Sequence, residues 1–394
     1  MSSSNLVRVA FIKETVYGET PGVGNFEQAR FTSDSLSGSP ETTESQQIRV
    51  DRYSSGQIVT GLTVAGDISF ELAKEDAIDQ FFESAMFNEF VAGTPVSVDL
   101  EVDITAETIE RSSGDFNVDV VVGDIITLGG FADSLNNTQV IVTAINSATV
   151  ITYIGDGTLV DEVGSGTDFV VADKLVIGTT KISFSIEKAF LDLTNKAIIY
   201  KGMIAGGFSI TATYGEVING SFSFSGNNYQ PVSISGDFIT DSRTINSAAT
   251  SNSLNGSVDM PFLISSAVGT LDEAAFCIQS VEIALNNNLT AQTCIGEIAP
   301  VDYSPGTAQI EVNMSAYFSD DSYALLAKKL TQASFALGFM LKNLDGFYGF
   351  YMPAVQVSFD DPASAGINQD VILSMSGVAK VGSGGESPLT IYRS

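Results

Sequence analysis

Histidine and tryptophan are absent from all 394 residues, and cysteine occurs only twice, as Cys277 and Cys294. Without histidine there is no Ser-His-Asp or Cys-His catalytic set and no imidazole metal ligand. Two cysteines are too few for a disulfide framework, so the chain reads as one folded in a cytosol. Basic residues are scarce as well: 18 Lys and Arg stand against 47 Asp and Glu, a net charge of −29. That balance argues against a basic nucleic-acid patch and predicts repulsion of DNA, RNA and anionic membranes. Repulsion suits a passage that DNA must slide through, although surface acid also serves solubility alone. No apolar run reaches the length of a membrane span. The opening Met1-Ser-Ser-Ser-Asn-Leu-Val-Arg lacks the apolar stretch of a secretory leader.

What remains points to β structure. Glycine is abundant, at 36 residues, and short runs alternate apolar with polar: Lys181-Ile-Ser-Phe-Ser-Ile, Ser221-Phe-Ser-Phe-Ser and Glu282-Ile-Ala-Leu. A period of two gives a strand one buried and one wet face. Two segments carry the helical period instead. One runs from Glu75 to Phe87, with Ala77, Ile78, Phe81, Phe82, Ala85 and Met86 on one stripe. The other runs from Asp320 to Leu330, with Tyr323, Leu326, Ala327 and Leu330 on one face. Asp320 and Asp321 suit its N-terminus, and Lys328 and Lys329 its C-terminus, by the helix dipole.

The chain repeats itself. Asp67-Ile-Ser-Phe-Glu-Leu and Gln309-Ile-Glu-Val-Asn-Met each precede a helical segment. Ser183-Phe-Ser-Ile then matches Ser334-Phe-Ala-Leu, and Tyr200-Lys-Gly-Met matches Phe350-Tyr-Met-Pro. Gly220-Ser-Phe-Ser-Phe-Ser-Gly matches Asp370-Val-Ile-Leu-Ser-Met-Ser-Gly. The offset is 242 from Ile68 to Ile310 but 151 from Ser183 to Ser334 and from Ser225 to Ser376. The first half therefore carries an insertion of about one small domain. The expected units are residues 1–90 with 179–226 as a discontinuous first half, 91–178 as the insert, 227–270 as a linking segment and 271–394 as the second half. The insert reads as all-β, with strands at Val140-Ile-Val-Thr-Ala-Ile and Thr149-Val-Ile-Thr-Tyr-Ile. Turns fall at Gly123-Asp, Asn136-Asn137 and Gly155-Asp-Gly. Fourteen acids against Arg111 and Lys174 give it −12. A unit so acidic is expected on an outer surface.

No cofactor, metal or catalytic residue stands out. In Asp99-Leu-Glu-Val-Asp the alternation puts three acids on one strand face, without the glycine of a calcium loop. Gly18-Glu-Thr-Pro-Gly-Val-Gly lacks the lysine of a phosphate loop. Carboxylates are numerous, but no spacing singles out a catalytic pair.

The order of four N-terminal segments is informative: Lys13-Glu-Thr-Val-Tyr-Gly-Glu-Thr-Pro-Gly, Ala29-Arg-Phe-Thr-Ser-Asp-Ser-Leu, Glu44-Ser-Gln-Gln-Ile-Arg-Val-Asp-Arg and Val64-Ala-Gly-Asp-Ile-Ser-Phe-Glu-Leu. Val122-Gly-Asp, Gly130-Phe, Val142-Thr-Ala-Ile, Phe184-Ser-Ile-Glu-Lys and Tyr200-Lys-Gly-Met follow. This order resembles the major tail tube proteins of long-tailed, siphophage-type bacteriophages. The resemblance implies a mainly β fold: a duplicated tail-tube β-sandwich with flanking helices, plus the inserted small all-β domain. It implies rings joined edge to edge, stacked into a tube for DNA ejection, with DNA passing and not specifically bound. Family tubes are six-fold, so two halves in one chain favour trimeric rings with pseudo-six-fold symmetry over hexamers. Implied partners are further copies of the chain and the tail tip, tape-measure and tail terminator proteins, in a virion tail assembled in the host cytoplasm, with no membrane role.

Two regions look built for contact. The long polar stretch from Ser33 to Gly61 includes Arg49, Asp51, Arg52 and Tyr53. By the resemblance it forms an extended hairpin reaching a neighbouring ring, with its arginines as ion-pair partners. The N-terminal arm, residues 1–28, is punctuated by Gly and Pro and is expected to order on assembly. Two rival readings remain: an acidic multidomain β-sandwich adhesin or receptor-binding tail component, and a carboxylate hydrolase on a β scaffold. The adhesin lacks a leader or anchor, and the hydrolase lacks the tryptophan that sugar sites favour.

Overall fold

Period-two runs need partners on both edges, and they find them in each other. The computed structural model describes every residue except 1–2, 49, 52, 54–55, 156–158, 195, 234–243, 249, 256–262, 265–271, 274–276, 327–333 and 363–365. The fold is mainly β. Its principal strands are β1 (Val7–Lys13), β2 (Ser37–Glu44), β3 (Gln57–Glu71), β4 (Ser183–Phe190), β5 (Lys196–Thr213), β6 (Asn219–Gly226) and β7 (Ile278–Asn286). They continue as β8 (Gln309–Tyr317), β9 (Ser334–Asn343), β10 (Gly346–Phe359), β11 (Ile372–Ala379) and β12 (Thr390–Arg393). Two helices flank them, α1 (Asp76–Met86) and α2 (Asp320–Leu326). No helix among the described residues is long and apolar enough to cross a membrane.

β2, β3, β6 and β5 pair antiparallel in that order. β7, β8, β11 and β10 pair in the same order. β5 joins the two runs by pairing with β7 from Gly207–Asn286 to Thr213–Ser280, which makes one continuous eight-stranded sheet. β4 lies against the first part of β5 and β9 against β10, each with a register shift, at Phe184/Ile186 and at Phe335/Leu337. Aligning the two runs on those shifts places Phe208 on Phe359, Phe222 on Met375 and Ile68 on Met314. The offset between β3 and β8 is thus 246, not 242, and between β6 and β11 it is 153, not 151. Alternation is unchanged by a slip of two or four residues, so the sequence match settled on a neighbouring register.

Both runs share one core. α1 puts Ala77, Ile78, Phe81, Phe82, Ala85 and Met86 into it, all buried. The Phe81 ring meets Phe11, Phe184 and Phe224 of the first half. Phe82 meets Phe208 and Phe222 on one side and Tyr348 and Phe350 of β10 on the other, at 5.1–6.4 Å between centroids. Truncating a buried phenylalanine of this kind costs about 3–5 kcal/mol. α1 is capped by Phe87, whose φ of 52° and ψ of 38° are left-handed, and whose amide closes onto Glu83 and Ser84. A bulky residue there stores roughly 1–3 kcal/mol of strain, held because the Phe87 ring is buried with Ile204 and Tyr303.

Residues 96–171 form a second, eight-stranded sheet. Its core holds Leu100, Ile109, Phe116, Leu128, Val142 and Phe169. The Arg111 guanidinium lies over the Phe116 ring at 4.8 Å and pairs with Asp119 at 2.6 Å, so one of the insert's two cations is structural. Ile125 and Ile141 point out of that core and pack on Met340, Phe347 and Tyr392 of β9, β10 and β12. β12 then pairs with both β10 and the returning strand Asp173–Val176. The acids at Asp99 and Asp103 accept backbone amides, from Gly166 and from Thr105 and Ala106.

One further expectation changes. The N-terminal arm is folded on its own chain: β1 pairs with β4 from Val7–Phe190 to Lys13–Phe184, and Val9 and Phe11 are wholly buried. Its Val-Arg-Val-Ala-Phe-Ile run supplies the apolar face that the Gly/Pro signal obscured. The first helix begins at Asp76 and ends at Met86, one residue inside each expected limit. The second is described only to Leu326, and Ala327, Lys328, Lys329 and Leu330 lie outside the described residues. Much of 227–270 also lies outside them. Its described pieces are bound, Asn228–Ser233 to β5 and Ile245–Asn246 to Phe26–Glu27.

Candidate assembly surfaces

The eight-stranded sheet has two chemically opposed faces. Toward α1 and the core it presents Val64, Ile68, Phe222, Phe208, Ile283, Val312, Met375 and Val357, all buried. The other face presents Asp67 and Ser69 of β3, Ser221 and Ser223 of β6, Ser209 and Thr211 of β5, and Ser280 and Glu282 of β7. It continues through Glu311, Asn313 and Ser315 of β8 to Ser374 and Ser376 of β11. The hydroxyls and amides bond across strands, Ser209 with Ser221 at 3.1 Å, Ser280 with Ser315 at 2.7 Å and Asn313 Nδ2 to Glu282 at 3.3 Å. No lysine or arginine occurs in β2, β3, β6, β7, β8 or β11, nor in β5 beyond Lys201 or in β10. The face is therefore polar and acidic without a cation, a surface on which a polyanion finds no phosphate anchor.

Both ends of this sheet are open. Among the described residues, no strand pairs with β2 on the side away from β3, and β10 from Val357 to Phe359 pairs only with β11. Open edges invite strand addition. The β2–β3 ladder runs on past the sheet to Glu44–Gln57 as a projecting hairpin. Ile48 and Val50 at its end are fully exposed, and Tyr53 largely so. Of the four residues expected there to make contacts, Arg49 and Arg52 lie outside the described residues. Asp51 Oδ1 accepts the Tyr53 amide at 3.2 Å.

Three buried carboxylates hold the surfaces in place, and no local pattern marks them. Glu14 accepts the Ser183 and Ser185 hydroxyls at 2.7 Å each and the Gly18 and Gly202 amides, fixing the turn in which Gly18 takes a φ of 75°. Asp79 of α1 accepts from Tyr348, Lys74 and Arg393 at 2.7–2.9 Å. Asp124 of the insert accepts from Tyr392 at 2.8 Å and Lys174 at 2.7 Å. Burial, then the neighbouring carboxylate, pushes the Tyr348 and Tyr392 hydroxyls well above their usual range, so both remain donors. Burial also raises Glu187, whose partner is Arg8, and Glu75, which accepts the Arg30 amide. Most of their donors lie far along the chain, as Ser183, Gly202, Tyr348, Arg393 and Tyr392 do, while Gly18 and Lys74 are near neighbours of Glu14 and Asp79.

Among the described residues no three acidic or sulfur side chains gather as a metal site. A cleft of about 890 Å³ between the insert and β9–β10 has one acid, Glu386, beside Lys174 and Lys380 among its lining residues. Cys277 and Cys294 are both exposed free thiols.

A comparison with the curated proteins found no match. A family model described as phage tail tube protein matches residues 4–379, spanning both halves of the sheet and the insert between them. The chain belongs to the phage tail tube protein family, and its role is that of a structural component of the virion tail.

Proposed function

We propose that the chain polymerises into stacked rings of three copies, enclosing a channel through which genomic DNA is ejected. The observation that carries this reading is the β5–β7 joint. There an edge strand of one run meets the edge strand of the next and merges two four-stranded sheets into one. Under the alignment above, the same joint between chains sets Ser39 against Ser358 and Ser37 against Asp360. Repeating both joints three times closes a barrel of pseudo-six-fold symmetry and removes every open edge. The face without cations then lines the channel, and α1, α2 and the insert lie outside it. The similar order of the two runs supports a duplicated tube unit interrupted by residues 91–178.

Negative-stain electron microscopy of the purified chain, with rotational averaging of end-on views, tests this. Hollow rings with three-fold symmetry and six lobes are expected. A ring of six copies, or a filament without a lumen, overturns it.

A further inference from the structure

The cleft between the insert and β9–β10 has an equivalent place in the first run, and there the chain fills it. β4 on β5 and β9 on β10 share one register, with Phe184 on Met203 as Phe335 on Val355. Ser183, Ser185 and Gly202 therefore correspond to Ser334, Ala336 and Ala354. Asn227, the first residue after β6, donates its amide to the Lys201 carbonyl at 3.0 Å. Lys380, the first after β11, donates its amide to the Ala354 carbonyl at 2.8 Å. In the first run Ser183, Ser185 and Gly202 all donate to the Glu14 carboxylate. In the second, Ser334, Ala336, Ala354 and Lys380 all line the cleft.

The runs part just beyond this point. After Asn227 the chain returns at once to β5 as Asn228–Ser233, whereas residues 380–389 intervene before β12 returns to β10. The second run also lacks the acid. Ile264 pairs with Leu337 as Phe11 pairs with Ile186. Three residues after Ile264 the sequence has Ala267, where three after Phe11 it has Glu14. In place of Asn227 stands a cation, Lys380. Its ammonium has no partner among the described residues, while Lys174 is paired with Asp124 at 2.7 Å. The hydroxyls of Ser334 and Tyr351 have none there either. Burial, then Glu386 and Asp124, pushes Tyr351 up to about 12, so it remains a donor. Glu386 is turned to its own loop, where it accepts the Gly384 amide at 3.0 Å. The rest of the lining is largely apolar, with Val120, Val121, Val122 and Ile145 of the insert and Phe335 and Pro353 of the second run.

We infer that this cleft binds a small amphiphilic carboxylate, its charged end at Lys380, Ser334 and Tyr351 and its apolar body between the insert and the second run. The inference stands apart from the ring reading. The volume, about 890 Å³, falls in the range of small-molecule sites, roughly 300–1,000 Å³. A ligand carboxylate would complete the second run as Glu14 completes the first. A charge-assisted bond from Lys380 would stand in for the Ser185 hydroxyl, which Ala336 cannot supply. A chain of net charge −29 repels anions in general, so one that is retained must be held by a local donor set. Because such a molecule touches both units, its binding stabilises their junction.

Calorimetric titration of the full chain with decanoate, below its micellar range, tests this. Decanol and decylamine serve as uncharged and cationic probes of the same length. Decanoate is expected to bind once per chain, and about tenfold or more tightly than either. Lys380→Ala is expected to weaken it by a similar factor, and Val121→Asp to abolish it. Both side chains are exposed, so the fold should survive each change, and unfolding midpoints check that it does. Lys201→Ala, which removes a cation beside the filled place in the first run, should leave binding unchanged. Decanol binding as well as decanoate, binding that survives Lys380→Ala, or no binding of decanoate overturns the inference. Loss of decanoate binding when the chain assembles would give the cleft to a neighbouring copy and overturn it equally.

Discussion

The Tyr348 hydroxyl donates to the buried Asp79 carboxylate at 2.7 Å, across 269 positions of sequence. Tyr348 belongs to β10 of the second run and Asp79 to α1 beside the first, and the Phe82–Tyr348 ring contact lies next to it. Lys74 and Arg393 complete the site. Asp79→Ala takes from Lys74 the anion it pairs with and leaves Arg393 only Asp173, and removal of one partner from such a buried group costs about 3–5 kcal/mol. Tyr348→Phe keeps both ion pairs and removes one donor, at about 1–3 kcal/mol. Urea unfolding of the two variants checks the order. Equal losses would mean that the hydroxyl, not the charge, is what joins the halves.

This junction also marks the limit of what the sequence discloses. Periodicity located α1 to within a residue at each end and the strands around Ile68, Phe222 and Phe184, because burial imposes a local pattern. It could not place Tyr348 beside Asp79, since neither residue carries a local mark of its partner. Register was lost for a related reason: Ile68 and Met314 are equivalent, yet Ile310 fits the same alternation. Of the expected contact residues, Tyr53 lies on the projecting hairpin, while the cation-free face emerged only when eight strands were set side by side. Each strand alone shows merely that it lacks lysine and arginine.

Glu187 gives a pH dependence whose sign is fixed. Its side chain is fully buried, one oxygen 3.1 Å from Arg8 Nη2 and the other without a hydrogen-bond partner, and burial raises its pKa above the ordinary 4.5. The folded state then holds the proton more tightly than the unfolded chain. Its contribution is present below pH 4.5 and is lost as pH rises through the folded value. Glu187→Gln is neutral at every pH and is expected to flatten that part of the stability curve. Subtracting the variant's thermal unfolding curve from the parent's at each pH removes the general effect of 47 acids. A difference that grows in the parent's favour as pH rises would refute the assignment.

The insert is held to the second run by Asp124, which faces Lys174 and Tyr392. Asp124→Ala and Tyr392→Phe are expected to be non-additive, with a coupling of about 0.5–3 kcal/mol as for other contacting pairs. Hydrogen exchange should rise in β12 and in Asp173–Val176, which pair with each other, while β3 keeps its protection. Uniform loss of protection across the chain would mean that the insert and the main sheet unfold as one unit.

The proposed lining makes a prediction about cargo. Ser223 and Ser376 stand on the cation-free face of β6 and β11, where a lysine side chain would reach solvent without disturbing the core. Ser223→Lys with Ser376→Lys places two new phosphate-binding charges per chain on that face. Each added phosphate contact steepens the salt dependence of DNA binding by about one unit of log–log slope. Tubes of the variant should therefore retain DNA at low salt and release it at high salt, while parent tubes retain none. Equal retention by both would place these strands on a surface that DNA does not meet.

The chain-to-chain joint can be caught covalently. In a background with Cys277 and Cys294 replaced by serine, Ser37→Cys with Asp360→Cys sets two thiols opposite each other only if the β5–β7 joint is repeated between copies. Within one chain Ser37 lies on β2 and Asp360 directly follows β10, at opposite ends of the eight-stranded sheet, so a bridge must come from a neighbour. Oxidation of assembled material is expected to give a ladder on denaturing gels that ends at three chains, since a closed ring has no fourth partner to offer. Each single-cysteine variant should stay monomeric on the same gel, because its thiol meets no other. A ladder running to six would restore the hexamer, with both halves of every chain sharing their joints with neighbours. Absence of bridges in material that still forms tubes would mean that β2 and β10 close the ring in another register, and because a slip of two residues leaves alternation unchanged, Ser39→Cys is the next position to try against Asp360→Cys.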